Sequence, residues 1–344
     1  MVKTLGIVSL SRGTIGEDFV KHEVELGVKR LEEMGLKVKF MPHSLKGIDY
    51  VAAHPEKRAE DLINAYKDPE IDMILCAIGG DDTYKLLPYL FENAELKNAV
   101  NDKIFLGFSD TTINHLMLYK VGAKSFYGQS FLADICEMGK DMLPYSKKYF
   151  LELIETGNVR EITPSENWYK ERTSFGVDQL GVDPEPMQDT GFELLQGKDQ
   201  FSGEVLGGCI DSIYDIFDGE RYDDMPALCR KYQLFPSVDE WRGKILLLES
   251  SEEQMKPLKY RKALNYLKEY GVFDVVNGVI IGKPMDRVYE TEYKKVLTEV
   301  IANPDLSIVC NINIGHALPR CIIPFGVETT VDVKKQKIIF SGRD

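Results

Sequence analysis

The chain has 344 residues, of which 44% are hydrophobic and 28% charged, a composition that indicates a globular protein of about two domains with a sizeable core. The formal net charge is −13 and no block of Lys or Arg interrupts it, which argues against a nucleic-acid partner. No apolar run reaches the roughly 18 residues of a membrane span, and no signal-peptide pattern opens the chain, so we predict a cytoplasmic protein without membrane contact.

The cysteines and histidines give no sign of a disulfide framework or a metal site. No Cys-x-x-Cys pair is present, and a scattered set in apolar segments is typical of free, buried thiols in a reducing compartment. The five histidines are isolated, without metal-ligand spacing, so we predict no metal. The cysteines are Cys76, Cys136, Cys209, Cys229, Cys310 and Cys321.

The first part of the chain alternates predicted strands with predicted helices. This alternation favours a parallel sheet with helices on both faces, on which ligands bind beyond the carboxyl ends of the strands. The strands are predicted over 5–10, 37–41, 72–78, 104–106 and 125–127, and the helices over 18–34, 55–66, 84–90 and 113–120.

The most distinctive stretch is 104–112, where a short apolar strand runs directly into a helix. Ser109 at the turn would have its hydroxyl lifted out of the sheet, with backbone N–H groups facing its target, which suits a nucleophile. A helix cap is the alternative, for which Thr111 or Thr112 is also a candidate. Thr111 moreover replaces the second glycine of Gly-x-Ser-x-Gly, the turn used by α/β-hydrolases. Nucleophile and cap therefore stay open at this point.

A second strand ends at Gly79-Gly80-Asp81, where glycines allow backbone to approach a ligand closely. The N–H of Gly80 or Asp81, together with that of Asp110 after the serine, could form an oxyanion hole. Two alternatives compete with this interpretation. One is a plain turn with an aspartate helix cap. The other is a phosphate-binding turn of the Gly-Gly-Asp-Gly-Thr type found in NAD kinases and diacylglycerol kinases, in which Asp82 would replace the glycine and repel phosphate.

The run 158–200 breaks the alternation, since it contains three prolines, many charges and little periodicity. We expect it to be a boundary region with a long loop, and loops of this length are usually functional or disordered. After it the alternation resumes and ends in a hairpin. Strands are predicted over 203–206, 244–248, 275–281 and 307–311, helices over 211–217, 257–270 and 292–301, and the hairpin over 327–333 and 337–340.

Two residues of this second part could serve Ser109. Glu249 ends a strongly apolar strand, where a carboxylate is held rigidly and can orient a histidine, although a solvated charge at a strand end is common. His316 follows Gly315 on a turn between β segments and is the best candidate for a general base. The other histidines lie on a charged helix, in loops with no partner in view, or on the helix after Ser109, facing away from it. These are His22, His43, His54 and His115.

Ser109, Glu249 and His316 follow one another in the order Ser, Glu, His, and several short motifs accompany them at consistent separations. With these motifs the chain resembles the LD-carboxypeptidase family of serine peptidases, and within it the microcin C immunity branch, over nearly its whole length. The motifs are Gly79-Gly80-Asp81, Gly107-Phe108-Ser109-Asp110, Phe126-Tyr127-Gly128, Gly207-Gly208, Leu248-Glu249, Gly315-His316 and Pro324-Phe325-Gly326.

The resemblance implies an α/β fold with a Rossmann-like parallel-sheet N-terminal domain over 1–160 and a β-rich α/β C-terminal domain over 201–344, joined by a long loop or linker over 161–200. The active site would lie at the domain junction, and the protein would form a homodimer. Ser109 would be the nucleophile, His316 the base and Glu249 its orienter, without metal or cofactor. The oxyanion donors would be Gly80 or Asp81, with Asp110.

The implied substrate is a small peptidyl- or aminoacyl-nucleotide, cleaved at an amide. Trp168, in a loop segment similar to that of the immunity branch, would stack on the nucleobase or else pack the loop onto the domain or a dimer partner. Gly79 and Gly208 would also contact substrate, while Cys209 stands where the family often has a polar residue. Murein tetrapeptide LD-carboxypeptidase activity is the first alternative. A nucleotide kinase using the 79–81 turn and a non-catalytic binding module are the others.

Overall fold

The computed structural model describes residues 1–341 and divides into two compact units. The first contains Met1–Asn158, Arg172–Pro184 and Ala227–Leu234, and the second contains Val159–Glu171, Glu185–Pro226 and the chain from Phe235 onward. In the described residues no helix combines the length and apolar character that a bilayer crossing would need. All six cysteines are buried, free thiols, as predicted.

Five parallel strands of the first unit pair in the order β2-β1-β3-β4-β5. Strands β3 and β4 lie inside the sheet and are buried along their whole length, which explains their unbroken apolar sequence. The strands are β1 (Thr4–Val8), β2 (Lys37–Phe40), β3 (Met73–Cys76), β4 (Ile104–Gly107) and β5 (Phe126–Tyr127). The helices are α1 (Lys21–Glu33), α2 (Ile48–Ala53), α3 (Pro55–Lys67), α4 (Leu87–Phe91), α5 (Glu95–Ala99), α6 (Thr111–Lys120) and α7 (Pro144–Thr156).

The strand order reverses direction between β1 and β3, and in open α/β sheets such a point marks the ligand crevice beyond the carboxyl ends. One predicted helix differs from expectation here. The segment 84–90 is a 3-10 turn, Thr83–Leu86, followed by the short α4, because Pro88 stands in the first turn of α4 and cannot donate to the preceding turn.

The second unit is built on an eight-stranded mixed sheet in the order β6-β16-β15-β10-β11-β12-β13-β9. Its four middle strands, β10 to β13, are parallel, and antiparallel strands flank them. The strands of this unit, of which β7, β8 and β14 lie outside the eight-stranded sheet, are β6 (Glu161–Ile162), β7 (Asn167–Tyr169), β8 (Pro186–Gln188), β9 (Glu193–Gln196), β10 (Gln200–Cys209), β11 (Ile245–Glu249), β12 (Gly278–Gly282), β13 (Ser307–Ile312), β14 (Ile323–Pro324), β15 (Glu328–Asp332) and β16 (Lys337–Ser341). The helices are α8 (Ile210–Phe217), α9 (Met225–Lys231), α10 (Val238–Trp241), α11 (Pro257–Tyr270) and α12 (Glu290–Ile301).

The architecture confirms the predicted α/β class, with a parallel N-terminal sheet and a β-rich C-terminal sheet. The terminal hairpin is present as β15 and β16, paired antiparallel. The run 158–200, expected to carry a long loop, contains four short strands, of which β7 and β8 form a separate two-stranded hairpin. Residues 342–344 lie outside the described part of the chain.

Candidate active site

Ser109 stands on a strained turn at the carboxyl end of β4. Its φ is 66°, in the left-handed region that non-glycine residues rarely adopt and that is concentrated at functional sites. Its N–H donates to the phenol oxygen of Tyr127 over 3.2 Å, and Tyr127 ends the neighbouring strand β5. The turn therefore holds Ser109 in a fixed orientation.

The prediction that Thr111 or Thr112 caps α6 was wrong. Asp110 occupies the N-cap position of α6 and makes no capping bond with its side chain. Thr111 already lies inside the helix, and the Thr112 hydroxyl donates to the Ser109 carbonyl over 2.7 Å instead of to a helix N–H. The short turn brings the helix to its first residue too early for either threonine to cap it.

The Gly79-Gly80-Asp81 turn passes directly against Ser109. A Cβ added at Gly79 would lie 2.6 Å from the Ser109 Cβ and 2.7 Å from its Oγ, so only glycine allows this approach. Asp81 follows Gly80 and is succeeded by Asp82, the N-cap residue of the 3-10 turn Thr83–Leu86. The first unit thus brings together four of the predicted residues, namely Ser109, Gly79, Gly80 and Asp110.

Asp110 joins the loops that follow three strands of the sheet. Its Oδ2 accepts from the Ser11 hydroxyl over 2.6 Å and from the Thr83 N–H over 2.9 Å. The carboxyl is buried, and burial raises its pKa to about 6 in spite of these two bonds. Sequence reasoning missed Ser11, although its place after β1 gave the same signal that singled out Ser109.

A buried ion pair fixes the far side of the same turn. The Arg58 guanidinium on α3 donates to Asp82 Oδ1 over 2.5 Å and to the carbonyl oxygen of Leu10 over 3.1 Å. Lys85 adds a second cation, 3.1 Å from Asp82 Oδ2. The aspartate that replaces glycine in the phosphate-binding pattern is therefore used to hold the turn in place. Arg58 was also missed, since nothing in its helical segment separates it from a surface arginine.

In the second unit Glu249 and His316 form a hydrogen-bonded pair. Glu249 ends β11, and its Oε2 lies 2.7 Å from His316 Nδ1 and accepts the His316 backbone N–H over 3.2 Å. Both residues are buried. A carboxylate on Nδ1 fixes the ring orientation and tautomer, which is the arrangement that a histidine base requires.

Gly315 makes this close pairing possible. Its φ is +86°, and a Cβ at this position would lie 2.3 Å from Glu249 Oε2. Any larger residue would push the carboxylate off the imidazole and would strain the turn. The Gly-His dipeptide noted in the sequence thus has a definite geometric reason.

The other imidazole nitrogen also has a carboxylate partner, which the sequence did not predict. Glu252 Oε2 lies 3.0 Å from His316 Nε2. Burial by itself lowers the pKa of His316. The negative charges of Glu249 and Glu252, together with their hydrogen bonds to the ring, outweigh burial and raise the pKa to about 10. The bond to His316 in turn lowers the pKa of Glu252 to about 2. Two ionised carboxylates, one on each ring nitrogen, favour the imidazolium form of His316, which can donate to both.

Cys209 completes a compact trio with Glu249 and His316, whose ligand-type atoms lie within 4.8 Å of one another. Burial raises the pKa of the Cys209 thiol well above its usual value, which disfavours the thiolate that binds metals. Both imidazole nitrogens already face carboxylates. The trio is therefore better described as a hydrogen-bonded cluster around His316 than as a set of metal ligands. Gly208, also predicted to contact substrate, precedes Cys209 in β10 and lies in register with Leu248.

Trp168 lies on β7 and is buried, 9% exposed. The Arg287 guanidinium carbon stands 5.7 Å from its ring centroid, in cation–π geometry. The next residue, Tyr169, donates its N–H to the Leu318 carbonyl over 3.1 Å, which ties the hairpin to the segment just after His316. Packing of Trp168 within its own unit is therefore observed, while its stacking role stays a prediction.

His43, His54 and His115 each have hydrogen-bond partners. The expectation that His43 and His54 lack partners was wrong, because their Nδ1 atoms bond carboxylates of Asp61 and Glu56 at 2.8 Å and 2.9 Å. Both carboxylates belong to helix α3, a relation that the loop context did not reveal. His115 is buried, with Nε2 on the Gly107 carbonyl and Nδ1 on Ser125 Oγ, and burial lowers its pKa to about 4.

Comparison with known proteins places the chain among peptidases. The family model of the LD-carboxypeptidase N-terminal domain matches residues 5–128, and that of the C-terminal domain matches residues 202–331. The microcin C7 self-immunity protein MccF of Escherichia coli is 25% identical over 323 residues, which cover 91% of this chain and 86% of MccF. The probable murein peptide carboxypeptidase of Bacillus subtilis is 25% identical over 319 residues, which cover 91% of this chain and 85% of that protein.

A solved structure matches the whole chain. The crystal structure of an MccF-like protein from Streptococcus pneumoniae, in complex with AMP, superposes with a TM-score of 0.99 at 59% sequence identity and covers 100% of both chains. An MccF-like protein from Bacillus anthracis shares the fold at a TM-score of 0.80 and 22% identity, covering 98% of this chain and 96% of that one.

Proposed function

The chain belongs to the LD-carboxypeptidase family of serine peptidases, in its MccF-like branch, and from this we propose that it hydrolyses an amide in a peptidyl- or aminoacyl-nucleotide. The proposed machinery is a triad of Ser109, His316 and Glu249. The observation that carries the proposal is the 2.7 Å bond between Glu249 and His316 Nδ1, a pairing that orients a histidine base.

In the proposed mechanism His316 accepts the Ser109 proton at Nε2 as the serine oxygen attacks the amide carbonyl. Glu249 stabilises the imidazolium that forms. The leaving amine takes the proton from His316, and water then cleaves the acyl-enzyme with His316 acting again as base. The strained φ of Ser109 supports its assignment as nucleophile, because a sharp, strained strand-to-helix turn is the setting of the nucleophilic serine in hydrolases.

The oxyanion that forms during attack needs backbone donors fixed in advance. We propose the N–H of Asp110 and that of Gly80 or Asp81. The close packing of Gly79 on Ser109 and the bonds from Asp110 to Ser11 and Thr83 support this assignment, since they hold the two donor segments together. Rigid donors cost no reorganisation when the charge appears.

The nucleotide part of the proposed substrate draws on two observations. The MccF-like protein of Streptococcus pneumoniae, 59% identical, was solved with AMP. In this chain Trp168 and Arg287 offer an aromatic ring and a guanidinium at the hairpin next to the His316 segment. We propose that Trp168 contributes to nucleobase stacking, and that Gly79 and Gly208 lie against the substrate.

A murein tetrapeptide is the second candidate substrate, favoured by the relationship to the probable murein peptide carboxypeptidase of Bacillus subtilis. The same triad would serve either reaction. Family resemblance also supports a homodimer located in the cytoplasm, and we include both in the proposal.

A substrate panel separates the two candidates. Purified protein is incubated with a muropeptide tetrapeptide and with aspartyl- and glutamyl-nucleotide amides, and the products are identified by mass spectrometry. We expect release of the free amino acid from the nucleotide amides. Release of the terminal D-amino acid from the tetrapeptide alone would favour the murein reaction, and no cleavage of either class would contradict the proposal.

Gly79→Ala is expected to impair the site more than the fold. The added methyl group must displace the Ser109 side chain, since it would lie 2.6 Å from the Ser109 Cβ. We expect kcat to fall by about 10- to 100-fold and the free energy of unfolding by about 1–3 kcal/mol, the usual cost of overpacking. Gly219→Ala is a matched control, because its nearest neighbour would be 3.4 Å away. Equal activity in both variants would contradict the proposed contact.

A further inference from the structure

We propose that Glu252 is a gating carboxylate, which caps Nε2 of His316 in the resting enzyme and must leave that nitrogen before Ser109 can be activated. This inference rests on the proposed function, since it takes His316 as the base. It assigns to Glu252 a restraint on the reaction, in contrast to the supporting role of Glu249.

The geometry places Glu252 on the atom that the mechanism needs. His316 Nδ1 is bonded to Glu249 at 2.7 Å, so only Nε2 can accept the serine proton. Glu252 Oε2 lies 3.0 Å from that Nε2. A carboxylate oxygen accepts hydrogen bonds and donates none when ionised, so the bond requires a hydrogen on Nε2. While it persists, the nitrogen has no lone pair for Ser109.

Other charged and titratable groups of the second unit also lie near His316. The cationic Arg320 donates to the backbone carbonyl of His316 over 3.2 Å. Asp211, on α8, is held by the Ser251 N–H over 2.9 Å. In the described part of this unit, the charged and titratable groups near His316 include Glu249, Glu252, Asp211, Cys209 and Arg320.

The two carboxylates differ in their freedom to move. The Glu249 side chain is 0% exposed, whereas that of Glu252 is 64% exposed. Exposed side chains change rotamer within nanoseconds and regain hydrogen bonds to water. The backbone just before Glu252 is anchored by the bond from the Ser251 N–H to Asp211 Oδ2 over 2.9 Å. Glu252 can therefore leave His316 by side-chain rotation alone, without disturbing Glu249 at the start of the same loop.

Departure of Glu252 changes the protonation of His316. With the carboxylate in water, the imidazolium loses one of the two anions that stabilise it, and its Nε2 proton passes to solvent. The neutral imidazole keeps its Nδ1–H bond to Glu249 and presents a lone pair at Nε2. Glu252 thus determines what fraction of the enzyme carries a competent base at neutral pH.

Glu252→Gln tests the gate, with Glu253→Gln as a matched control one residue away. Because the amide carries no charge, the pKa of His316 should fall, and the acidic limb of the pH profile of kcat/KM should move to lower pH. We expect a shift of about one pH unit or more, which corresponds to a gain of about tenfold or more in kcat/KM on that limb. Glu253→Gln should superimpose on the wild type.

A second readout does not depend on turnover. NMR titration of the His316 ring in the Ser109→Ala background, assigned by loss of its signal in a His316→Asn variant, should show a lower pKa once Glu252→Gln is added. Superimposable pH profiles, or a lower kcat/KM in Glu252→Gln, would overturn the gate. His316→Ala with full activity would instead overturn the proposed function itself. The two failures are distinguishable, because failure of the gate alone leaves the Ser109→Ala and His316→Ala variants inactive.

Discussion

Ser109→Ala is expected to lower kcat by about 10³-fold or more, with the folded structure retained. The substitution removes only Oγ, the atom that would attack the amide. The Tyr127 hydroxyl contacts the backbone N–H of Ser109, so this bond survives, and alanine carries the same Cβ through the same left-handed turn. Steady-state hydrolysis of the substrate identified by mass spectrometry measures the loss, and thermal unfolding verifies the fold.

Ser9→Ala provides the matched control. Ser9 lies just beyond β1 in the same sheet, and its hydroxyl donates to the Ser44 carbonyl over 2.9 Å. Loss of that bond should cost about 1 kcal/mol of stability and leave kcat unchanged. If Ser109→Ala retained activity within tenfold of the wild type, Ser109 would not be the nucleophile, and the strained turn would require another explanation.

The sequence predicted the parts of the site that follow from local rules. Apolar strands bounded by glycine are recognisable without a structure, and functional groups of parallel sheets collect at the carboxyl ends of strands. Ser109 and the 79–81 turn were identified in this way, and the structure brings them together. Glu249 likewise ends a strand that is buried throughout, next to a histidine that its carboxylate contacts.

The parts that were missed depend on contacts between distant segments. Arg58 and Asp82 are 24 positions apart and form one buried pair, and Ser11 bonds Asp110 across 99 positions. No periodicity or capping rule encodes such pairings, because each residue alone looks like a surface charge or a turn serine. The contact of Glu252 with His316 could not be predicted for another reason. It lies in an exposed loop where a carboxylate needs no partner, and only the fold places it beside His316.

The two carboxylates on His316 illustrate why charge alone does not define a role. Both stabilise the imidazolium, and both raise the pKa of His316. In the proposed mechanism Glu249 acts through Nδ1, which takes no part in proton exchange with substrate, so its stabilisation would be available during attack. Glu252 would act through Nε2, the proposed reacting atom, so its stabilisation would favour the state that cannot accept a proton. Neutralising each should therefore move the pKa of His316 in the same direction and the rate in opposite directions.

Glu249→Gln is accordingly expected to lower kcat by about 10²- to 10⁴-fold. The amide nearly matches the carboxylate in size, so packing around this fully buried side chain is preserved. The negative charge that stabilises the imidazolium is lost, however, and an amide NH₂ turned toward Nδ1 would hold the proton on Nε2, the wrong tautomer for a base. Steady-state hydrolysis measures kcat. NMR titration of the His316 ring should show a lower pKa of His316 than in the wild type.

The comparison with Glu252→Gln makes this prediction specific. A general weakening of the site would depress both variants, whereas the proposed division of roles requires a slower Glu249→Gln and a faster Glu252→Gln on the acidic limb, with the pKa of His316 lowered in each. Glu253→Gln, whose carboxylate pairs with Arg221 instead of His316, should change neither quantity. A Glu249→Gln enzyme with near-normal kcat would remove Glu249 from the triad, because a buried carboxylate 2.7 Å from the base would then contribute nothing to the imidazolium formed during attack.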